Sequence, residues 1–293
     1  MKLSADGYYD FDLGPTHERL VGELYYPYEI EVRARNSAFV FGRFSIGLIG
    51  RLVVLSERPG EMTTLFRAGA FCEAHPSSKI IIGGEHGVSS ILHNSWGVYG
   101  KLFSRTFSDE AKRCIRHEAH GVTLGDGVIL SADCTVIDGV RIADGTVLAA
   151  GAVAVGACAP YSLYGGIPAK PIKRRLSAER IGMTEGFDLA HVRGHCLPDT
   201  PSILQRLERG QIGIDEARSA VDYMAEIPRI VFAGTLGSNN ELVLGEIQAF
   251  QVGDRTISDA GQDRFLRGYF AQARAGRPGI KWSPDIFHAI GVS

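Results

Sequence analysis

The chain has 293 residues, 45% of them apolar and 22% charged, which is the make-up of a globular protein with a sizeable core rather than of a disordered chain. Its 31 basic and 33 acidic residues leave a net charge of −2, so no basic excess points to nucleic acid or an anionic membrane. Glycine is frequent, with 36 residues against 12 prolines, which suggests many similar tight corners instead of a flexible linker.

Residues 1–61 read as a β-rich N-terminal cap, with strands expected over 29–35 and 39–55. The first six residues lack an apolar export core, and the longest greasy stretch, 39–55, is broken by Arg43 and Arg51. No membrane insertion is expected. The five cysteines (Cys72, Cys114, Cys134, Cys158, Cys196) are odd in number and scattered, which suits a reducing cytoplasm and no disulfide frame.

From residue 62 a six-residue beat begins. Met62, Ala68, Ala74 and Ile80 keep the spacing, with Phe66 and Cys72 as a second inward set, and the next step lands on His86. Residues 87–121 then drop the beat. They carry aromatics and charge and are too many for a connecting turn, and loops of that length in a regular solenoid are usually functional. The beat returns over 122–156. Leu124, Leu130, Val136, Ile142, Leu148 and Ala154 recur every sixth residue, each preceded by two places by Val122, Val128, Cys134, Val140, Thr146 and Ala152. Apolar positions at i, i+2, i+6 and i+8 fit no helical period. They fit very short strands turned at regular corners, three to a triangular rung, with stacked rungs sharing one interior.

Residues 178–293 abandon the beat. Two short helices are expected over 201–209 and 214–225, with Asp215 at the start of the second, where an acid is favourable. Strands over 230–236 and 241–250 are joined by a turn at 237–240, and a further helix is expected over 259–275. This is a small α+β unit of unassigned role. Covering an open end of the stack is favoured over recognising a larger acceptor or contacting a partner.

Three blocks together resemble the left-handed β-helix acyltransferases, most nearly the xenobiotic acetyltransferase branch. They are Ile82-Gly83-Gly84-Glu85-His86, the repeat over 122–156, and Pro160-Tyr161-Ser162-Leu163-Tyr164-Gly165-Gly166-Ile167-Pro168-Ala169-Lys170 with its basic continuation to residue 176. The resemblance implies a left-handed parallel β-helix over 62–177 with a protruding loop at 87–121; with the α+β extension read after it, the chain is expected to be mainly β. It also implies a homotrimer with active sites in clefts between neighbouring coils, an acetyl-coenzyme A donor and one catalytic histidine. The sequence departs from the family in having Glu85 where Asn is common, and Ile129-Leu130-Ser131 in place of Trp-Ile-Gly. These departures leave room for altered pantetheine contacts or acyl preference.

Acyl transfer from a thioester needs an acceptor stripped of its proton as it attacks, and a neutral imidazole suits that task near pH 7. His86 is the expected general base, a surface histidine capping the stack being the plainer reading. By the resemblance, Ser131, Ala149 and Ala150 flank the pantetheine arm. Lys170, Lys173 and Arg174, with Arg175 beside them, form a basic cluster suited to the nucleotide phosphates. Glu85, His93, Trp96 and Tyr99 are candidate acceptor contacts, with Phe103 and Phe107 more readily explained as loop packing. The expected activity is O-acetyl transfer from acetyl-coenzyme A to a sugar or small-molecule hydroxyl. A non-catalytic trimeric scaffold is the alternative. A zinc site of the carbonic anhydrase kind, built on His86, His117 and His120, is less favoured, because His117 and His120 precede the regular rungs. His191, His195 and Cys196 lack a fourth ligand, and no metal is expected.

Overall fold

A computed structural model of the chain describes residues 2–3, 9–10, 29–58, 60–84, 118–192, 196, 199–223, 225–252 and 255–256. A two-stranded antiparallel pair, β1 (Lys2–Leu3) and β2 (Tyr9–Asp10), comes first. The chain then enters β3 (Glu29–Ala34) and turns back into β4 (Ser37–Phe41). Short strands follow in rotation: β5 (Leu52–Val54), β6 (Thr63–Ala68), β7 (Glu73–Ala74) and β8 (Lys79–Ile82). After an interval come β9 (Val122–Leu124), β10 (Ile129–Leu130), β11 (Thr135–Val136), β12 (Arg141–Ile142), β13 (Val147–Leu148) and β14 (Val153–Ala154). The hairpin of β15 (Ser162–Gly165) and β16 (Lys170–Arg174) ends the series.

These strands stack in three parallel walls, which the chain visits in turn. Wall one holds β4, β6, β9 and β12; wall two holds β7, β10, β13 and β15; wall three holds β5, β8, β11 and β14. Ile129 faces Val147, Thr135 faces Val153 and Thr123 faces Arg141, so on every wall a strand pairs with the one three repeat units further along the chain. Three six-residue units therefore make one rung. Twelve inward positions read from the repeat, from Val122 to Ala154, are all no more than 2% exposed. Burying each of the larger aliphatic side chains is worth roughly 1.5–3 kcal/mol before chain entropy is set against it. Thr146 is the one polar member. Its hydroxyl donates to the Ala159 carbonyl at 2.8 Å, so its burial leaves no bare donor.

Upstream the beat is less faithful. Ala68, Ala74, Ile80, Phe66 and Cys72 point inward as expected, but Met62 is 52% exposed because β6 begins only at Thr63 and Leu65 and Phe66 fill the interior there. The stack also reaches one rung further back than the six-residue spacing indicates. β4, Ile46 and β5 lie under β6, β7 and β8, but the pairs Ile46–Glu73 and Leu52–Ile80 each span more chain than three repeat units would supply. Longer corners in this rung hide its period.

The C-terminal segment divides in two. After α1 (Ala178–Thr184), which buries none of its residues, α2 (Thr200–Glu208) and α3 (Ile214–Ser219) contribute to a small second core of Val192, Ile203, Leu207, Ile212, Ala217 and Val221. α3 is shorter than the stretch expected from its sequence, because Val221 turns into this core and Tyr223 pairs with Val192 instead of continuing the helix. The expected turn at 237–240 joins two long antiparallel strands, β17 (Pro228–Leu236) and β18 (Leu242–Val252), and β19 (Arg255–Thr256) pairs with β18. β17 lies parallel to β3, while Asn240 and Glu241 reach β5 through the Val54 N–H bond and the Val53–Glu241 bridge. The hairpin thus covers the first-rung end of the stack. Arg229 on β17 forks between Glu29 and Glu31 of β3, and Arg33 also pairs with Glu31. The expected helix over 259–275 lies outside the described residues.

Candidate functional site

The register of the walls shows where the stack is interrupted. Glu73 faces Ile129, Lys79 faces Thr135 and Arg67 faces Thr123, each across far more chain than the three repeat units of an ordinary step. The excess lies between the end of β8 at Ile82 and the start of β9 at Val122. His86, Glu85, His93, Trp96 and Tyr99 belong to this insertion and lie outside the described residues, as do Phe103, Phe107 and His117.

Both ends of the insertion are described, at the corner between walls three and one. On the outgoing side Gly83 and Gly84 both adopt left-handed φ, 71° and 78°. A side chain on Gly83 would collide with Ser56, and one on Gly84 with Leu55, so only glycine lets the strand leave this close to its neighbour. The Gly84 N–H donates to the Ser56 hydroxyl at 3.2 Å. On the returning side, Asp138 accepts from the N–H groups of His120 and Gly121, each at 2.7 Å, and the His120 ring lies 3.2 Å from the same carboxylate. Arg58 donates to the carbonyls of Ala119 and His120.

The opposite corner of wall three carries the expected donor residues. Ser131 and Ala149 follow the inward Leu130 and Leu148, so strand register sets them one above the other, with Gly165 next and Lys170 opposite Gly165. This is one vertical file ending on a basic residue. Ser131 and Ala149 are half-buried, and Ala150 is exposed. The Ser131 N–H donates to Leu148 and the Ala149 N–H to Tyr164, so both amides are already used within the stack. What the file offers a ligand is small side chains, the Ser131 hydroxyl and close approach to the backbone. All of β16 is exposed. Lys173 and Arg174 lie further along this edge strand, opposite Leu163 and Ser162. Arg175 turns back, its guanidinium on the Gly145 carbonyl and its N–H on Tyr161. The structure therefore brings Ser131, Ala149 and Lys170 into one file and separates Arg175 from it.

Sequence reasoning passed over the corner residues Ser56, Arg58 and Asp138. A signal existed for the last. Asp-Gly closes repeat units at 126, 138 and 144, and in each case the carboxylate accepts backbone N–H groups from the preceding rung: Ala70 for Asp126, His120 and Gly121 for Asp138, and Asp126 for Asp144. Burial, the largest cause, pushes the Asp126 carboxyl above the usual aspartate range, with Asp144 and Asp188 adding to it. The buried thiols are quiet. Burial pushes Cys72 up to about 12 and Cys134 up to about 11. Among the described residues no three metal-ligating side chains come together, and no helix is long and apolar enough to cross a membrane.

No protein-family model matches the chain. Over 114 residues it is 30% identical to a probable macrolide acetyltransferase of Lysinibacillus sphaericus, an overlap of 39% of this chain and 62% of that protein. Over 115 residues it is 27% identical to a chloramphenicol acetyltransferase of Morganella morganii, covering 39% and 54% respectively. The chain thus spans somewhat over half the length of these curated relatives. A solved hexapeptide-repeat acetyltransferase from Vibrio cholerae, complexed with acetyl-coenzyme A, is 15% identical over 50% of this chain and 61% of its own, with a TM-score of 0.30.

Proposed function

From the premise that this chain is related to the xenobiotic acetyltransferases of the hexapeptide-repeat class, we propose that it is an acetyl-coenzyme A-dependent O-acetyltransferase. Its acceptor is a hydroxyl on a sugar or small molecule. The observation that carries the reading is the stack itself: a rung of three repeat units, broken once by a long insertion, with a file of small residues ending at a basic edge strand.

The pantetheine arm runs along Ser131, Ala149 and Ala150, where small side chains admit it, and Lys170, Lys173 and Arg174 meet the nucleotide phosphates. His86 takes the acceptor proton. The acceptor oxygen bonds to the thioester carbonyl carbon, the carbon–sulfur bond breaks, and the proton held by His86 passes to the departing thiolate. Glu85, His93, Trp96 and Tyr99 line the acceptor side. The file and the insertion stand at two corners of the same wall, about 15 Å apart at roughly 3.3 Å per strand residue. That separation supports a homotrimer of left-handed coils, in which the file of one subunit faces the insertion of the next. The protruding loop and the α+β extension belong to the same reading.

The test is thiol release from acetyl-coenzyme A against a panel of chloramphenicol, macrolides, sugar nucleotides and free glycans. His86→Ala is expected to lower turnover about 100-fold or more with melting unchanged. Full turnover in that variant removes His86 as the base. Calorimetry with acetyl-coenzyme A giving neither heat nor a thermal shift would favour a trimeric scaffold instead.

A further inference from the structure

One short segment, residues 55–58, holds both ends of the insertion. It continues from β5 and runs beneath the corner where the chain leaves the stack and returns. Ser56 accepts the Gly84 N–H on the way out, and Arg58 grips the Ala119 and His120 carbonyls on the way back. Asp138, from the rung above, takes the His120 and Gly121 N–H groups with both carboxylate oxygens. The Asp138 side chain is 4% exposed, although the His120 end of the pair faces solvent. The segment is itself braced. Glu57, between the two gripping residues, accepts from the Ser37 hydroxyl at 2.7 Å and pairs with Arg35 at 3.0 Å.

The outgoing and returning ends are therefore held by the rungs on either side of their own. Ser56 and Arg58 act from below, and Asp138 acts from above. Asp126 and Asp144 make bonds of the Asp138 kind at plain corners; what sets this corner apart is that the rung below also holds it, through Ser56 and Arg58. Rung four passes the same corner on Gly156 and Ala157, both exposed, with no comparable side chain.

We propose that Ser56, Arg58 and Asp138 are positioning residues for the insertion. They set the height along the stack at which His86, two residues beyond Gly84, meets the donor. This rests on the acetyltransferase reading above. Base catalysis is sensitive to placement, and a displacement of about 1 Å can cost on the order of 100-fold in rate. Arg58 suits the task because its planar fork donates to two adjacent carbonyls at once. Asp138 suits it because a carboxylate accepts two N–H groups, whereas an amide would turn a donor toward one of them.

The experiment compares Arg58→Ala, Arg58→Lys and Asp138→Asn with the unaltered chain and with His86→Ala. Deuterium exchange by mass spectrometry reads peptides spanning 84–121, with thermal melting and calorimetry of acetyl-coenzyme A as controls. Turnover of acetyl-coenzyme A with water as acceptor reads the consequence. Exchange at 84–121 is expected to rise about tenfold with the peptides of 122–154 unaffected. The kcat is expected to fall about tenfold or more while KM for acetyl-coenzyme A stays within about twofold, and Arg58→Lys should restore part of the loss. Unchanged exchange in Arg58→Ala and Asp138→Asn overturns the clamp. Faster exchange with unchanged kcat, where His86→Ala abolishes turnover, overturns the positioning role. Should His86→Ala itself retain full turnover, the base assignment falls, and the clamp stands or falls on exchange alone. If Arg58→Ala does not fold, Asp138→Asn and Arg58→Lys decide the matter.

Discussion

The three-walled stack and the helical unit bury their apolar side chains by different rules. In the stack each regular rung supplies six inward residues, and every interior rung packs on a like neighbour above and below. The helical unit has one six-residue core, assembled from α2 and α3 with Val192 before them, Ile212 between them and Val221 after them. It is tied to the stack through Arg43, which is 1% exposed and donates to the carbonyls of Ala190 and Val192. The comparison teaches that periodic burial announces itself in sequence, while a satellite core depends on a contact between residues far apart along the chain.

The sharpest test of this difference is Leu130→Ala, in the middle of the stack between Ala74 and Leu148. It should cost about 2–5 kcal/mol and lower the main melting transition, because the cavity opens against two rungs. If calorimetry shows instead a small early transition, the stack is not one cooperative unit. Next in size is Arg43→Ala, which leaves the buried Val192 carbonyl bare at about 1–3 kcal/mol. Limited trypsin digestion should then cut within 178–223 while the β-sheet signal in circular dichroism persists. Simultaneous loss of both would show that the helical unit is integral to the stack.

A smaller effect is expected from Asp126→Asn at the corner facing the helical unit. The folded-state pKa of Asp126 is raised, so its proton is bound more tightly in the folded chain than in the unfolded one. The stability this contributes is complete below the unfolded aspartate pKa and is lost as pH rises through the folded one. At pH 8 the buried charge opposes folding, with Asp144 and Asp188 adding repulsion. Asparagine removes the charge and still accepts the Ala70 N–H. The variant should melt roughly 1–3 °C above the parent at pH 8, with the gap closing near pH 4. A gap that widens on acidification would reverse the sign. The least effect concerns the thiols. Cys72 and Cys134 should resist iodoacetamide in the folded protein and label only on denaturation, as read by mass spectrometry.

What can be read from sequence follows the same divide. The inward files from Val122 to Ala154 are legible because one corner geometry repeats without insertion. The β17–β18 hairpin is legible from its alternation and its turn residues. The first rung is not, since its longer corners break the six-residue count. Nor is the landing place of the hairpin, which depends on Arg229 meeting Glu29 across a separation of 200 residues. Of the candidate site, the file proposed for the donor can be named from the family resemblance, and the spacing of the repeat sets its members one above another. At the other corner Asp138 carries the Asp-Gly signal of the repeat, but Ser56 and Arg58 carry none, because only fold geometry brings their rung to the ends of the insertion.

That hairpin sets an order of events during synthesis. β3 emerges from the ribosome some 200 residues before the strand that will lie against it. At about 5–20 residues per second the delay is roughly 10–40 s. Through that interval the nascent coil presents a raw β edge with no mate, and a chaperone or a neighbouring chain has time to find it before β17 does.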